Sequence, residues 1–423
     1  MNIGIFTYGT RGDLQPYIAL ALGLMQRGHN VSIAATQDFR DFVESFGIRF
    51  QSLWGNAEAM MNSAEGQRIL KTQNAVKLMQ YYFKVLHDNR GVLRESYYKA
   101  VSEVDYIIAN SMTVPIVSAI VEKQKKPLAL TYFMPPVVPT RDFPLGDFDF
   151  FNFPCYNKLT YQLAHFFFWR FIKHDVNEYR RVLGLPELKM NLIKHLDRQR
   201  ILDLYCLSQH LIPQPSDWGE HHKISGFIQM PPQAGGKYAY DQTSAELSAW
   251  LESGSKPIYI GFGSNGVGNT DKIVSIILEL LSKANERILF CTGWSLFSDL
   301  PKHENLYITK YVNHEAVLPY CKLGVFHGGA GTLAAMLRHN LPVIIISFYT
   351  DQPTWGKIVV RKKLGVHIPV KTLTSEKFIT AIKKVQTEEI RSHVTEMGQK
   401  INLENGLDNA INELECYFKI SST

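Results

Sequence analysis

Cysteine is sparse in this chain. Cys155, Cys206, Cys291, Cys321 and Cys416 are its five, an odd number with no C-x-x-C spacing. That argues against a disulfide framework and a thiolate zinc finger, and for reduced thiols in a cytoplasmic protein. No apolar run reaches the ~18–20 residues that a membrane-spanning helix needs. The opening residues, MNIGIFTYG, put no basic segment ahead of an apolar one, so no signal peptide is expected. Also missing are G-x-S-x-G, a P-loop lysine and, among fourteen histidines, H-E-x-x-H. Three common hydrolytic and metal-dependent schemes go with them. Charge of one sign is not in large excess either: 45 Lys and Arg against 39 Asp and Glu leave +6, scattered along the chain. Nucleic-acid binding is not indicated, while mild attraction to an anionic surface is left open.

What is present is globular. Hydrophobic residues make up 45% of 423, enough for the cores of two or three domains. Apolar strands alternate with helical patterns: Ile3–Tyr8, Val31–Thr36, Tyr106–Asn110, Pro127–Phe133 and Leu202–Leu207, with helices at Leu14–Arg27, Phe39–Phe46, Ala64–Val101 and Tyr156–Leu183. A second alternation runs through Pro257–Phe262, Arg287–Cys291, Leu306–Tyr311, Leu323–Phe326 and Leu341–Ile346. Such strands between helices predict α/β architecture with two parallel, Rossmann-like sheets. The expected division is a first domain at 1–215, a Pro- and Gly-rich linker at 216–243, a second domain at 244–400, and a helical tail at 401–423 that packs back on the first. Two such domains facing each other would bind ligand in the cleft between the carboxyl ends of their sheets.

The densest signal is LGVFHGGAGT, residues 323–332. A strand runs into a glycine turn and then a helix, so that freed amides and the helix N-terminus point at one place suited to an anion. His327 stands at its lip. Other motifs carry duller alternatives. Asp13, after Gly9 and Gly12, reads first as a helix cap, with a general base as the alternative. Gly261, Gly263 and Gly266 match G-x-G-x-x-G, yet the next strand ends in Cys291-Thr292-Gly293-Trp294, without the acid that would hold a ribose. A turn in which Ser264 donates to phosphate fits better. Asp351-Gln352 opens a helix and suits either a cap or the vicinal hydroxyls of a sugar. The pair Asp147 and Asp149 reads as surface loop, and His29 as structural.

Taken together these segments resemble the inverting glycosyltransferases of the two-Rossmann (GT-B) type in the UDP-glycosyltransferase family. The nearest subset is that of the sterol and glycopeptide-antibiotic glucosyltransferases. The likeness rests on GTRGDLQPYIALALGLMQRGH, IGFGS, TGW, YVNHEAVLP, HGGAGTLAAMLRHNLPVIIISFYTDQP and LGVHIP, in that order over nearly the whole chain. It implies that His327, Gly329, Ala330, Gly331 and Thr332 hold the donor diphosphate, with Ser264 helping. It implies that Val312 pairs with the base through its backbone, that Trp294 stacks near it, and that Asp351 and Gln352 hold the sugar. Many relatives place a histidine base where this chain has Asp13, and the nearest subset shares the aspartate; Asp13 becomes the implied base. A second departure is Phe326, where many members carry histidine, which implies altered diphosphate contacts. The implied reaction moves a hexose, glucose first, from a UDP- or dTDP-sugar co-substrate to a hydrophobic acceptor, with inversion and with neither cofactor nor metal. Phe133, Phe143 and Phe151, with further aromatics at 148–156 and 166–169, are the acceptor-side candidates; some fill core, and some suit peripheral membrane contact. An NAD oxidoreductase, a sugar-nucleotide epimerase and a non-catalytic sugar-nucleotide-binding protein stay open as alternatives.

Overall fold

The computed structural model describes residues 1–72, 74–146, 148–231, 244–263, 270–283, 286–293, 297 and 300–420. Continuously apolar strands need cover on both faces, and the chain meets that need twice. Met1–Ala57, Met79–Ala234 and Asn405–Thr423 form one compact unit; Glu58–Leu78 and Gly235–Glu404 form the other.

The first unit holds β1 (Asn2–Phe6), β2 (Asn30–Thr36), β3 (Arg49–Leu53), β4 (Tyr106–Ala109), β5 (Leu128–Tyr132), β6 (Leu202–Tyr205) and β7 (His222–Ile224). They lie in the order β3-β2-β1-β4-β5-β6-β7, all parallel. The second holds β8 (Ile258–Gly261), β9 (Ile288–Cys291), β10 (Leu306–Thr309), β11 (Leu323–Phe326), β12 (Val343–Ser347) and β13 (Gly365–Pro369), ordered β10-β9-β8-β11-β12-β13 and again parallel. Strand order reverses at β1 in one sheet and at β8 in the other. The carboxyl ends of these strands are where doubly wound sheets bind ligands. Ile258, Ile260, Val325, Ile344 and Ile346 pack on Ile277, Phe378 and Ile382 to make the second core.

Three strands escaped the sequence reading for physical reasons. β3, RFQSL, has no β-branched residue. β13 is five residues with glycine at one end and proline at the other. β7 is three residues inside 216–243, so that segment is a linker only in part. The helix expected over 64–101 is three: Ala64–Lys71, Ala75–Asp88 and Arg90–Ser102. One break falls at Asn89, whose amide donates to the Val85 carbonyl at 2.9 Å in competition with the backbone. Residues 388–402 form a helix of the second unit, and the tail helix begins later, at Gly406–Ile420.

That tail helix joins the first unit. Ile411, Leu414 and Phe418 are fully buried. Arg27 reaches Asp408 at 3.0 Å and Glu415 at 3.3 Å, and His29 reaches Glu415 at 2.7 Å, which gives His29 its structural role. In the same unit the buried Arg180 grips Glu122 with two 2.8 Å bonds, which hold that carboxyl below its ordinary pKa and fasten the helix Pro154–Val182 to Val114–Gln124. Among the described residues no helix is long and apolar enough to cross a membrane.

Candidate functional site

The two glycine-rich turns of the second unit meet at its switch point. β8 ends into Phe262 and Gly263; β11 ends into His327. A Cβ placed on Gly263 would lie 3.1 Å from His327 Cε1, and one on Gly329 would lie 2.6 Å from Nε2, so both positions must stay bare for the imidazole to fit. Gly328 has φ +103°, and a Cβ there would press on Ile345 and the Gln352 carbonyl. Gly329 is the N-cap of the helix Ala330–Arg338, and no described residue stands within 4 Å of where a Gly331 side chain would go. The first-turn amides of this helix have no partner within the helix itself.

His327 itself is 8% exposed, and its Nδ1 is buried with no hydrogen-bond partner among the described residues. Burial, then the neighbouring His314, push its pKa down to about 4. It is a neutral imidazole at physiological pH, with a polar atom that no described residue satisfies. A buried orphan of that kind is costly unless a ligand completes it. A pH consequence follows. The unfolded chain takes up this proton near the ordinary ~6.5, the folded chain only near 4. The stability tied to a neutral His327 is thus complete above about pH 6.5 and is lost as pH falls toward 4, by roughly 3 kcal/mol at the limit. Urea midpoints at pH 7, 5.5 and 4.5 should fall less steeply in His327→Gln than in the natural chain; parallel slopes would contradict this.

Around this point stand the other donor-side candidates. Val312 lies half-buried between β10 and the short helix His314–Val317, and its backbone N–H and C=O make no hydrogen bond among the described residues. Asp351 caps the helix Gln352–Arg361. Its Oδ1 accepts from the Thr350 hydroxyl and its Oδ2 from Trp355 Nε1, both at 3.0 Å. Trp355 is fully buried, so its indole N–H makes a fixed post for the carboxylate. Thr350 sits at φ +59°, a strained conformation for a branched residue at a site edge. Gln352 is buried, with Oε1 taken by the amides of Phe348 at 2.8 Å and Tyr349 at 3.3 Å. The expectation that this amide both accepts from and donates to a ligand is corrected: its oxygen shapes the loop, and only Nε2 is left to donate. Phe326 has no exposure at all and its ring lies in the core, off the open side of the turn. Ser264, Trp294 and Gly266 lie outside the described residues, as does Asp147; Asp149 is exposed.

In the first unit the turn after β1 carries Asp13. Thr10 is the N-cap of the helix Arg11–Gln26, and Asp13 is the third residue of that helix rather than its cap. Its Oδ2 accepts from the Thr10 N–H at 2.7 Å and the Thr10 hydroxyl at 3.0 Å. Its Oδ1 accepts from no other residue among those described. Crowding by protein atoms raises the carboxyl above its ordinary pKa, opposed by the Thr10 donors. The side chain still meets solvent. Gly9, at φ +147°, lies so close that a Cβ would collide with the carboxylate. One oxygen is thus anchored and the other free, the arrangement a proton acceptor needs.

The aromatic candidates divide. Phe133 follows β5 and packs edge-on to Tyr17 of the Asp13 helix, with ring centroids 5.0 Å apart. Phe143 is half-buried. Phe151 is exposed and packs on Phe153 and Tyr156 at the surface. A feature not foreseen is a chain of rings from Tyr8 to Tyr82 at 5.8 Å, to Phe83 at 5.5 Å and to Phe168 at 6.1 Å. It makes a half-buried apolar wall leading from the Asp13 turn. Phe168 belongs to the aromatic run at 166–169 already singled out, whereas Tyr82 and Phe83 were hidden inside an ordinary helical pattern.

Comparison with known proteins agrees with this geometry. Residues 3–139 match the glycosyltransferase family 28 N-terminal domain, and residues 285–408 the erythromycin biosynthesis protein CIII-like C-terminal domain. A sterol 3-beta-glucosyltransferase of Arabidopsis thaliana is 31% identical over 99% of this chain and 65% of its own. Another, of Komagataella phaffii, is 30% identical over 99% of this chain and 35% of its own. The chain thus spans just under two thirds of the first relative and about a third of the second. Among solved structures, glycosyltransferase VinC in complex with dTDP aligns over 99% of this chain and all of its own, with TM-score 0.68 at 13% identity. The calicheamicin glycosyltransferase CalG4 aligns over the whole of both chains, with TM-score 0.64 at 15% identity. These two speak for the fold alone.

Proposed function

This chain belongs to the GT-B glycosyltransferases, among relatives that include the sterol 3-beta-glucosyltransferases, and on that premise we propose that it transfers glucose from UDP-glucose to the hydroxyl of a sterol-like acceptor with inversion. The observation that carries the donor side is His327, a neutral buried imidazole held between the bare turns of Gly263 and Gly329, with Nε2 against the residue that caps the helix Ala330–Arg338. Its ring, the amides of Gly329, Ala330 and Gly331, and the Thr332 hydroxyl take the diphosphate, with Ser264 assisting. Val312 offers a backbone edge to the base, with Trp294 the candidate to stack on it. Asp351, held by Trp355, accepts from sugar hydroxyls, and Gln352 donates.

The chemistry is one displacement. Asp13 Oδ1 takes the proton of the acceptor hydroxyl as that oxygen bonds to the anomeric carbon. The bond from that carbon to the diphosphate oxygen breaks, and UDP leaves with the electron pair. Charge growing on the leaving oxygen is met by fixed dipoles, which do without a metal what a bound cation would do. The wall of Tyr8, Tyr82, Phe83 and Phe168 supports a flat apolar acceptor, and Phe133 lies along the same helix as the base. Phe150, Phe151, Phe153, Phe166 and Phe167 are exposed rings that support delivery of such an acceptor from a lipid surface.

The purified chain should release UDP from UDP-glucose when given cholesterol, ergosterol or sitosterol, and NMR of the product should show a β-linkage. Hydrolysis of donor with no acceptor product, or an α-linked product, would refute the reading. The sugar contact has its own test. Trp355→Phe keeps an aromatic side chain, smaller than the indole, and removes the bond to Asp351. Losing a hydrogen bond to a charged acceptor should raise the KM for UDP-glucose by about 10-fold, while the affinity for UDP alone stays unchanged. A matching loss in UDP affinity would mean that the substitution damages the fold and not the sugar contact.

A further inference from the structure

At the amino ends of β6 and β7, the opposite end of the first sheet from Asp13, four side chains converge in a way that the transfer reaction does not use. Asp197 lies in the helix Leu192–Arg198 that leads into β6, and His221 and His222 lie at the start of β7. His221 Nε2 is 2.9 Å and His222 Nε2 is 3.1 Å from the same oxygen, Asp197 Oδ1. One donor atom from each of the three lies within 4.8 Å of the others. The two imidazoles stand with centroids 3.9 Å apart, and Trp218 packs on His222 from another side.

Two imidazoles and two carboxylates meet here without all of their polar atoms being paired. His222 and Asp203 are both almost fully buried. His222 Nδ1 lies 2.9 Å from Asp203 Oδ2 but off the line of a hydrogen bond, and His221 Nδ1 is also buried without a hydrogen-bond partner among the described residues. If the proton of His222 is spent on Asp197, its other nitrogen turns a lone pair toward a carboxylate. A cation held by both Nε2 atoms and Asp197 Oδ1 removes the conflict. It takes the Nε2 lone pairs and fixes the proton on Nδ1. A small turn of the ring then lets His222 donate to Asp203, whose Oδ1 already accepts from the Tyr132 hydroxyl at 3.1 Å. That is the carboxylate–histidine–metal arrangement in which an outer acid orients a ligand. Ligand bonds of ~2.0–2.1 Å at tetrahedral angles set ligand atoms about 3.3 Å apart, close to the separations found.

We propose that Asp197, His221 and His222 bind a zinc ion, with Asp203 orienting His222 and the fourth position left to water. Asp197 is half exposed, which gives the ion a path in from solvent. Two imidazoles and one carboxylate suit zinc better than calcium or magnesium, which prefer oxygen. The role is structural: it staples the three-residue edge strand β7 to the helix before β6.

The test uses the full chain with the exposed thiols removed, Cys155→Ser with Cys416→Ser. After metal stripping, addition of zinc and desalting, mass spectrometry should find one zinc per chain, and cobalt in its place should give the visible bands of a tetrahedral site. His221→Ala and the more exposed Asp197→Asn should each lose that equivalent while keeping the natural circular dichroism, and Asp203→Asn should weaken zinc by ~10–100-fold. Zinc should raise the melting temperature of the parent and not of His221→Ala, with turnover alike in both. His174→Ala, in the exposed His87, His174 and Asp175 group, should keep the ion. Absence of zinc from the parent, or its retention in both His221→Ala and Asp197→Asn, would overturn the proposal and leave an ion-pair network only.

Discussion

Asp13→Asn should lower turnover by about 10²–10⁴-fold, the usual worth of a positioned base, with donor affinity unchanged. The substitution keeps the shape of the side chain, and its amide oxygen can still accept from Thr10, so the helix start survives. What is lost is the basicity of the free oxygen. Rates with saturating UDP-glucose and sterol, set beside UDP affinity by calorimetry, separate the two effects. Turnover within a few-fold of the natural chain would remove Asp13 from the chemistry and return it to helix capping. A compensating trend is expected with acceptor acidity. A phenol, which gives up its proton more readily than a sterol hydroxyl, should suffer less from the substitution.

His327→Ala should act on the other half of the reaction. Removing one preorganised group that faces growing negative charge costs about 10²–10³-fold in turnover. Affinity for UDP should fall as well, because the ring meets the diphosphate in the ground state too. The neutral state of the ring makes a further point. With a pKa near 4 it enters as a hydrogen-bonding dipole and not as a cation. UDP affinity should therefore stay flat from pH 5.5 to 8 so far as this residue is concerned. A rise in affinity below pH 7 that disappears in His327→Ala would contradict the neutral reading. Gly331→Ala gives a sharper probe of position. No described residue obstructs a methyl group there, so the fold should tolerate it, and any loss of UDP binding would come from the space it fills.

Much of this site was legible because local chemistry demanded particular residues. The bare turn around His327 needs Gly263, Gly328 and Gly329 for reasons of atomic clearance, and glycines at those places can be read without a structure. Asp13 and Asp351 were visible as acids at helix starts, but their geometry was not. Which oxygen is anchored depends on Thr10 in one case and on Trp355 in the other, four residues along a helix and facing back. The commitment of the Gln352 oxygen to the amides of Phe348 and Tyr349 was likewise hidden, since a glutamine pattern does not say which end is spent. β3 and β7 were missed because edge strands can be short and polar, lacking the apolar run that marks a central strand. The wall from Tyr8 to Phe168 joins residues 160 positions apart by rings alone. Nothing periodic announces a contact of that range.

The packing of Gly406–Ile420 on the first helix has a consequence for biosynthesis. A side chain on Gly23 would strike Ile411 and Leu407, so these two helices close on each other with no room to spare. The first unit therefore cannot be finished as it leaves the ribosome. Its sheet must wait, with one flank bare, while some 170 residues of the intervening unit (235–404) are made. Translation order and folding order part company here, and a nascent chain stalled before residue 406 should be a client for chaperones that shield exposed apolar surface.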